Sequence, residues 1–180
     1  MCFCVCVFVS LCSAMQLAIQ WYVITPTVFH VFSVSKIRKI TAAMGDFRML
    51  SLNVRGLSNF KKRRAIFAWC RKQNANIIFL QETHSTVNSE KQWKAEWGAP
   101  LELAHGSSNS RGVAILFRKG FDCKIIKKII DPTGRYISIQ AQINDENYFL
   151  VNVYGPNNDN QAVQFYDHLI DLLRKEGLAY

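Results

Sequence analysis

From Phe47 onward the apolar residues fall into short blocks whose spacing alternates between a strand period and a helix period. Strand-like blocks run from Phe47 to Asn53, Asn76 to Gln81, Leu101 to His105, Gly112 to Arg118, Phe121 to Ile130, Arg135 to Ile143 and Tyr148 to Tyr154. The block NIIFLQ is apolar on both sides, as a strand covered on two faces would be. Helical spacing marks Lys61 to Gln73, with Ile66, Phe67 and Cys70 on one face, and the shorter stretch Ser89 to Trp97. A final helix is predicted to about Lys175, capped by Asp159 or Asn160 and ended by Gly177, with a stripe of Ala162, Phe165, Tyr166, Leu169 and Leu173. Asp131-Pro132-Thr133-Gly134 and Asn144-Asp145-Glu146-Asn147 are turn formers, so the last three strands should make antiparallel hairpins. This order predicts an α/β chain built on a layered mixed sheet.

The first part of the chain reads differently. No charged side chain occurs from Met1 to Ser35, and Lys36, Arg38 and Lys39 follow. Phe3 to Ile19 is nearly apolar, interrupted by Ser10, Ser13 and Gln16, and about 20 apolar residues span a bilayer. One expectation is upstream sequence translated in frame, with Met44 the natural start. The other is a membrane anchor with a basic flank, for which Trp21 and Tyr22 suit an interface. A secretory signal fits less well, because no basic residue precedes the apolar run. The shift at Met44 divides the chain into a 1–43 extension and a 44–180 domain.

Charge points to the partner. Lysine and arginine total 22 against 13 acidic residues, a net charge of +9, which favours a nucleic acid or an acidic membrane surface. Lys61, Lys62, Arg63 and Arg64 open a predicted helix, where cations oppose the macrodipole by about 0.3–1 kcal/mol each. A phosphate backbone is their natural partner, with Arg55 and Arg111 on nearby loops. Lys124, Lys127 and Lys128 are expected to face water. Cys2, Cys4, Cys6 and Cys12 crowd the start, and no spacing suits zinc. Cys70 and Cys123, in apolar segments, read as buried thiols of a reducing compartment.

Three polar groups end predicted strands: Asn53 with Arg55, Gln81-Glu82-Thr83-His84, and Asn152 through Asn157. Glu82 follows a buried-type run, so it either reaches solvent at the rim or needs neutralising, and a bound hard cation would serve. Taken singly, each has an ordinary reading: a solvated rim glutamate, a turn asparagine, a half-buried tyrosine.

Taken together, the words LSLNVRGL, IIFLQETH and FLVNVYGPN, in that order, resemble the opening motifs of the exonuclease-endonuclease-phosphatase family. RGVAILF from Arg111 to Phe117 resembles the intervening strand of LINE-type (non-LTR) retrotransposon endonucleases. The resemblance covers about Phe47 to Lys175. It implies a two-sheet, helix-flanked α/β sandwich of the deoxyribonuclease I-like kind, present in its N-terminal half only. It also implies Mg²⁺-dependent hydrolysis of DNA phosphodiesters, with backbone contacts to the duplex. By that resemblance Glu82 is the metal-binding glutamate with Asn53 beside the metal, Tyr154 reaches the scissile phosphate, and Asn157 closes that motif.

The family also uses a GDFN-like motif and a later aspartate and histidine, which are expected to lie beyond Tyr180. His84, a loop residue, and His168, on the solvated side of the last helix, do not replace the missing histidine. The expectation is therefore an inactive fragment, marginally stable because its last helix packs on an unfinished sheet. A non-catalytic nucleic-acid-binding remnant, or a phosphatase or lipid phosphodiesterase of the same fold, are the alternatives. Nucleus or cytoplasm is the expected location, with membrane contact only through residues 1–35.

Overall fold

The computed structural model describes residues 4–11, 19–23, 39–44, 47–156 and 158–175. In chain order the elements are strands β1 (Cys4–Leu11), β2 (Ile19–Val23), β3 (Lys39–Met44) and β4 (Phe47–Asn53), helix α1 (Phe60–Arg71), strand β5 (Ile77–Gln81), a 3₁₀ turn (Val87–Ser89) and helix α2 (Glu90–Trp97). Strands β6 (Leu101–Ala104), β7 (Val113–Phe117), β8 (Lys124–Ile130), β9 (Tyr136–Ile143) and β10 (Glu146–Tyr154) and helix α3 (Asp159–Lys175) complete it.

The strands form two five-stranded sheets, one in the order β3-β4-β5-β7-β6 and the other β2-β1-β10-β9-β8. Strands β4 and β5 are parallel and joined through α1, as the helical block between two apolar blocks requires; β5 and β7 are antiparallel, and both are buried along their whole length.

Period-2 alternation divides the apolar side chains into three layers. Phe47, Met49, Ile77, Phe79 and Ile115 meet Ile137, Ile139 and Leu150 between the sheets. On the far face of the first sheet, Leu50, Leu52, Ile78 and Leu80 pack under Phe67 and Cys70 of α1 and Trp93 and Trp97 of α2. On the far face of the second, Tyr136, Phe149, Val151 and Val153 lie under Leu169 and Leu173 of α3, the stripe read from the sequence. Each fully buried side chain of this kind contributes about 1.5–3 kcal/mol, so the middle layer holds the two sheets together. Helix, sheet, sheet and helix thus stack as the expected sandwich.

Details differ from the sequence expectation. Asn144 and Asp145 take left-handed backbone angles (φ 50° and 63°), giving a two-residue hairpin turn, so β10 starts at Glu146 rather than Tyr148. Asn and Asp tolerate that conformation, and the paired positive-φ turn matches strand twist. The α3 cap is Asn158, whose Oδ1 accepts from the Asn160 N–H (3.0 Å) and the Gln161 N–H (3.4 Å). Strand β8 starts at Lys124, and its exposed edge carries Lys124, Lys127 and Lys128, a composition that resists pairing with other chains.

The described strands of the 1–43 stretch are joined to the rest by backbone pairing. Strand β1 runs antiparallel along β10, β2 along β1, and β3 along β4. Residues 12–18 and 24–38, which hold much of the anchor expectation, lie outside the described residues, as does Gly177. Among the described residues no helix is long and apolar enough to cross a membrane.

Candidate active site

Along the layer between the sheets, side chains change character toward one end. Phe47 and Met49 of β4 give way at the same parity to Ser51 and Asn53, Ile77 and Phe79 of β5 to Gln81, and Leu150 of β10 to Asn152 and Tyr154. The polar positions therefore gather where the strand ends β4, β5 and β10 open to solvent. Ser51, Gln81 and Asn152 were part of the polar words in the sequence but carried no assigned role. Their signal was parity, since each shares a face with buried apolar neighbours.

Backbone hydrogen bonds weld the loops at this end. The N–H groups of Val54, Gly56 and Leu57 donate to the carbonyls of Gln81 (2.9 Å), Glu82 (2.6 Å) and Thr83 (2.8 Å). Thr83 N–H donates to Gly112 O, His84 N–H to Arg111 O, Gly112 N–H to Gly134 O, and Tyr154 N–H to Arg135 O at 2.7 Å. An unbroken path thus leads from the Asn53 loop through Glu82 and the 111–112 and 134–135 turns to Tyr154. Side chains brace it: Thr83 Oγ1 donates to Ser85 Oγ, His105 bridges Ser85 Oγ (3.1 Å) and Glu90 Oε2 (3.0 Å), and Lys94 and His105 hold the Glu90 carboxyl below its ordinary range.

Strain concentrates at the same rim. Arg55 (φ 47°), Glu82 (φ 53°), His84 (φ 54°) and Arg111 (φ 62°) all adopt left-handed backbone, at about 1–3 kcal/mol each. Two glycines permit the close approach. A Cβ on Gly56 would stand 2.7 Å from His84 Nδ1, and one on Gly112 would stand 2.4 Å from Thr83 Oγ1.

At the centre, Asn53 Nδ2 donates to Glu82 Oε1 at 2.9 Å, while Asn53 Oδ1 accepts the Arg55 N–H at 3.1 Å. In this geometry Asn53 orients the Glu82 carboxylate by its nitrogen end. Glu82 is half-buried, and Oε1 is the carboxylate oxygen that takes the Asn53 bond. Among the described residues no cluster of three His, Cys, Asp or Glu side chains could encage a metal. One carboxylate, with waters and substrate phosphate oxygens, is a donor set Mg²⁺ accepts. His84, half-buried beside Gly56, has its pKa lowered by burial and by Lys62, against an opposing pull from Glu82.

The basic residues separate into two kinds. Arg55, Lys61 and Arg64 are exposed, and Arg111 is half-buried on the rim. Lys62 is exposed, with its ammonium on Arg55 O at 2.8 Å. Arg63, expected on the nucleic-acid surface, is instead 2% exposed. Its guanidinium makes a two-bond fork with Glu96 (2.7 and 2.8 Å), donates to Leu57 O, and lies 5.1 Å from the Trp93 ring centroid. The basic run is thus one inward arginine among outward cations, and the helix start is offset by Asn59, whose Oδ1 accepts from the Lys61 and Lys62 N–H groups. Asn157 lies outside the described residues. His168 is exposed on α3.

Two sheets flanked by helices, with Glu82 held by Asn53 at the open strand ends, make an α/β sandwich of the deoxyribonuclease I-like kind. The chain belongs to the Endonuclease/Exonuclease/phosphatase family, which it matches over residues 50–178. It is also similar to an uncharacterized 149 kDa protein of transposon TX1 from Xenopus laevis, with 28% identity over 119 residues, 66% of this chain. Those residues span 9% of that much longer protein.

Proposed function

We propose that the chain carries the glutamate-and-tyrosine part of a Mg²⁺-dependent site that hydrolyses DNA phosphodiesters, as in retrotransposon endonucleases. The observation that carries this reading is the Asn53–Glu82 hydrogen bond, set in a strained rim that continues through backbone bonds to Tyr154. A transposon protein among its relatives supports a nucleic-acid substrate over a lipid or small phosphate ester.

Glu82 would hold the cation through its carboxylate, with Asn53 fixing that group. Bound Mg²⁺ supplies polarisation of the phosphoryl oxygens and stabilisation of the leaving oxyanion. Tyr154 would donate to a phosphate oxygen as charge builds there; a donor of that kind is worth about 2.7–4 kcal/mol by analogy with an oxyanion contact. Arg55, Lys61, Lys62, Arg64 and Arg111 would lie along the duplex backbone, which positions DNA without reading sequence.

A second reading is a non-catalytic DNA-binding unit, and a specific observation favours it. Among the described residues no cluster of further His, Cys, Asp or Glu side chains joins Glu82 to encage a cation, while the outward cations Lys61, Lys62 and Arg64 suit a phosphate backbone by themselves. Nicking of supercoiled plasmid tests the choice. Nicks that need Mg²⁺ and vanish with EDTA and with Glu82→Ala support hydrolysis by this chain; DNA binding with no nicking supports the second reading.

A further inference from the structure

A buried pair of amides stands between the sheets just below the rim. Gln81 is 1% exposed and Asn152 is 0% exposed. Asn152 Nδ2 donates to Leu80 O (3.0 Å) and Ala114 O (2.8 Å), the carbonyls of a directly paired couple on β5 and β7. Gln81 Nε2 donates to Asn152 Oδ1 (2.7 Å) and to Ser51 Oγ on β4 (3.2 Å). All the amide N–H groups of both side chains are therefore committed, across four strands and both sheets.

Stability alone does not call for this arrangement, because replacing both partners of a buried hydrogen bond by apolar groups of the same shape is often nearly neutral. The apolar contacts of the layer have no direction, while the Gly112 N–H to Gly134 O bond and the Lys128–Glu102 pair tie the sheets only at loops and edges, so inside the layer the amide pair adds a directional tie between β5 and β10. Position is a different matter. Gln81 immediately precedes Glu82, and Asn152 lies two residues before Tyr154 on the same face of β10. A slide of one strand repeat, two residues at about 3.3 Å each, would carry Tyr154 well beyond hydrogen-bond reach of a phosphate held at Glu82.

We infer that Gln81 and Asn152 are positioning residues that fix the Tyr154 end of one sheet against the Glu82 end of the other. The inference rests on the reading of Glu82, Asn53 and Tyr154 as one cation- and phosphate-binding site. The amides do not touch substrate; they act through the residues beside them. An aspartate at 152 could not serve, since its carboxylate would face two carbonyl oxygens.

The test is the amide NMR spectrum of the full chain, with Asn152→Leu and, should that variant not fold, the nearly isosteric Gln81→Met. The expected result is movement of the Tyr154 and Arg135 signals while Glu82 and the Asn53 side-chain amide stay in place. Changes confined to Leu80, Ala114 and Ser51, with Tyr154 unmoved, would overturn the inference. Added Mn²⁺ gives an independent arm. In the unaltered chain it should broaden Glu82 and Tyr154 together, and in the variant Glu82 alone; equal broadening of both in the variant counts against the tie. If Mn²⁺ broadens neither signal in the unaltered chain, the cation reading of Glu82 fails, and the diamagnetic shifts still decide whether the amides fix Tyr154.

Discussion

Asn53, at the end of β4, and Glu82, just past the end of β5 and 29 positions away in sequence, are joined by a 2.9 Å hydrogen bond that turns one carboxylate oxygen toward the amide. Removing the amide should weaken cation binding without dismantling the site. For Asn53→Ala the expected loss is about 10–100-fold in Mn²⁺ affinity, the usual effect of deleting a group that orients a ligand. For Glu82→Gln binding should vanish. Titration followed by the electron paramagnetic resonance of free Mn²⁺ measures both, and equal affinity in Asn53→Ala and the unaltered chain would remove Asn53 from this role.

Arg63 and Glu96 form a nearly enclosed fork, and breaking a buried pair strands a charge. Arg63→Ala should therefore cost about 3–5 kcal/mol of folding stability. Arg63→Lys should recover little, because one ammonium cannot make both bonds and also reach Leu57 O. The Glu96 pKa is lowered from its ordinary 4.5, chiefly by the Arg63 hydrogen bond. A depressed folded-state carboxyl pKa gives stability that is fully present above the unfolded value and is lost as pH falls through the folded one. Thermal melts should thus show Glu96→Gln narrowing its deficit below pH 4.5; a deficit constant across that range would contradict the assignment.

Arg63 also shows where sequence reading stopped. A run of four cations at a helix start reads as one surface, because the partner that turns Arg63 inward, Glu96, lies 33 positions away and belongs to another helix. The alternating blocks gave most element positions correctly, since period and burial are local properties. Glu82 at the end of a buried strand, and Tyr154 at the end of another, were likewise legible. The Gln81–Asn152 bond, spanning 71 positions, was not: only the pairing of β5 with β7 and the stacking of the two sheets bring those amides together.

The outward cations make a separable prediction about DNA. Each phosphate contact releases counterions, so losing one contact should lower the slope of log K against log salt by about 0.9. Arg55→Ala, Lys61→Ala and Arg64→Ala should each do this on a random-sequence duplex, roughly equally across sequences. Fluorescence anisotropy over a range of NaCl concentrations reads the slope. Unchanged slopes in all three variants would move the DNA surface elsewhere.

Cys70 lies on the buried face of α1 against the first sheet, and burial pushes its thiol up to about 12. Cys123, less enclosed, is raised to about 11, first by burial and then by the neighbouring Asp122 carboxylate. Because the thiolate is the nucleophile, the ionised fraction at pH 8 should be on the order of 10³-fold smaller at Cys70 than for a thiol of pKa 9. Alkylation by iodoacetamide, mapped site by site by mass spectrometry, should therefore mark Cys70 after Cys123 in the native chain. In denaturant that delay should disappear, as both burial and the pKa shift go with the fold. Native Cys70 reacting as fast as the denatured residue would mean that the α1 and α2 layer opens far more readily than its packing allows.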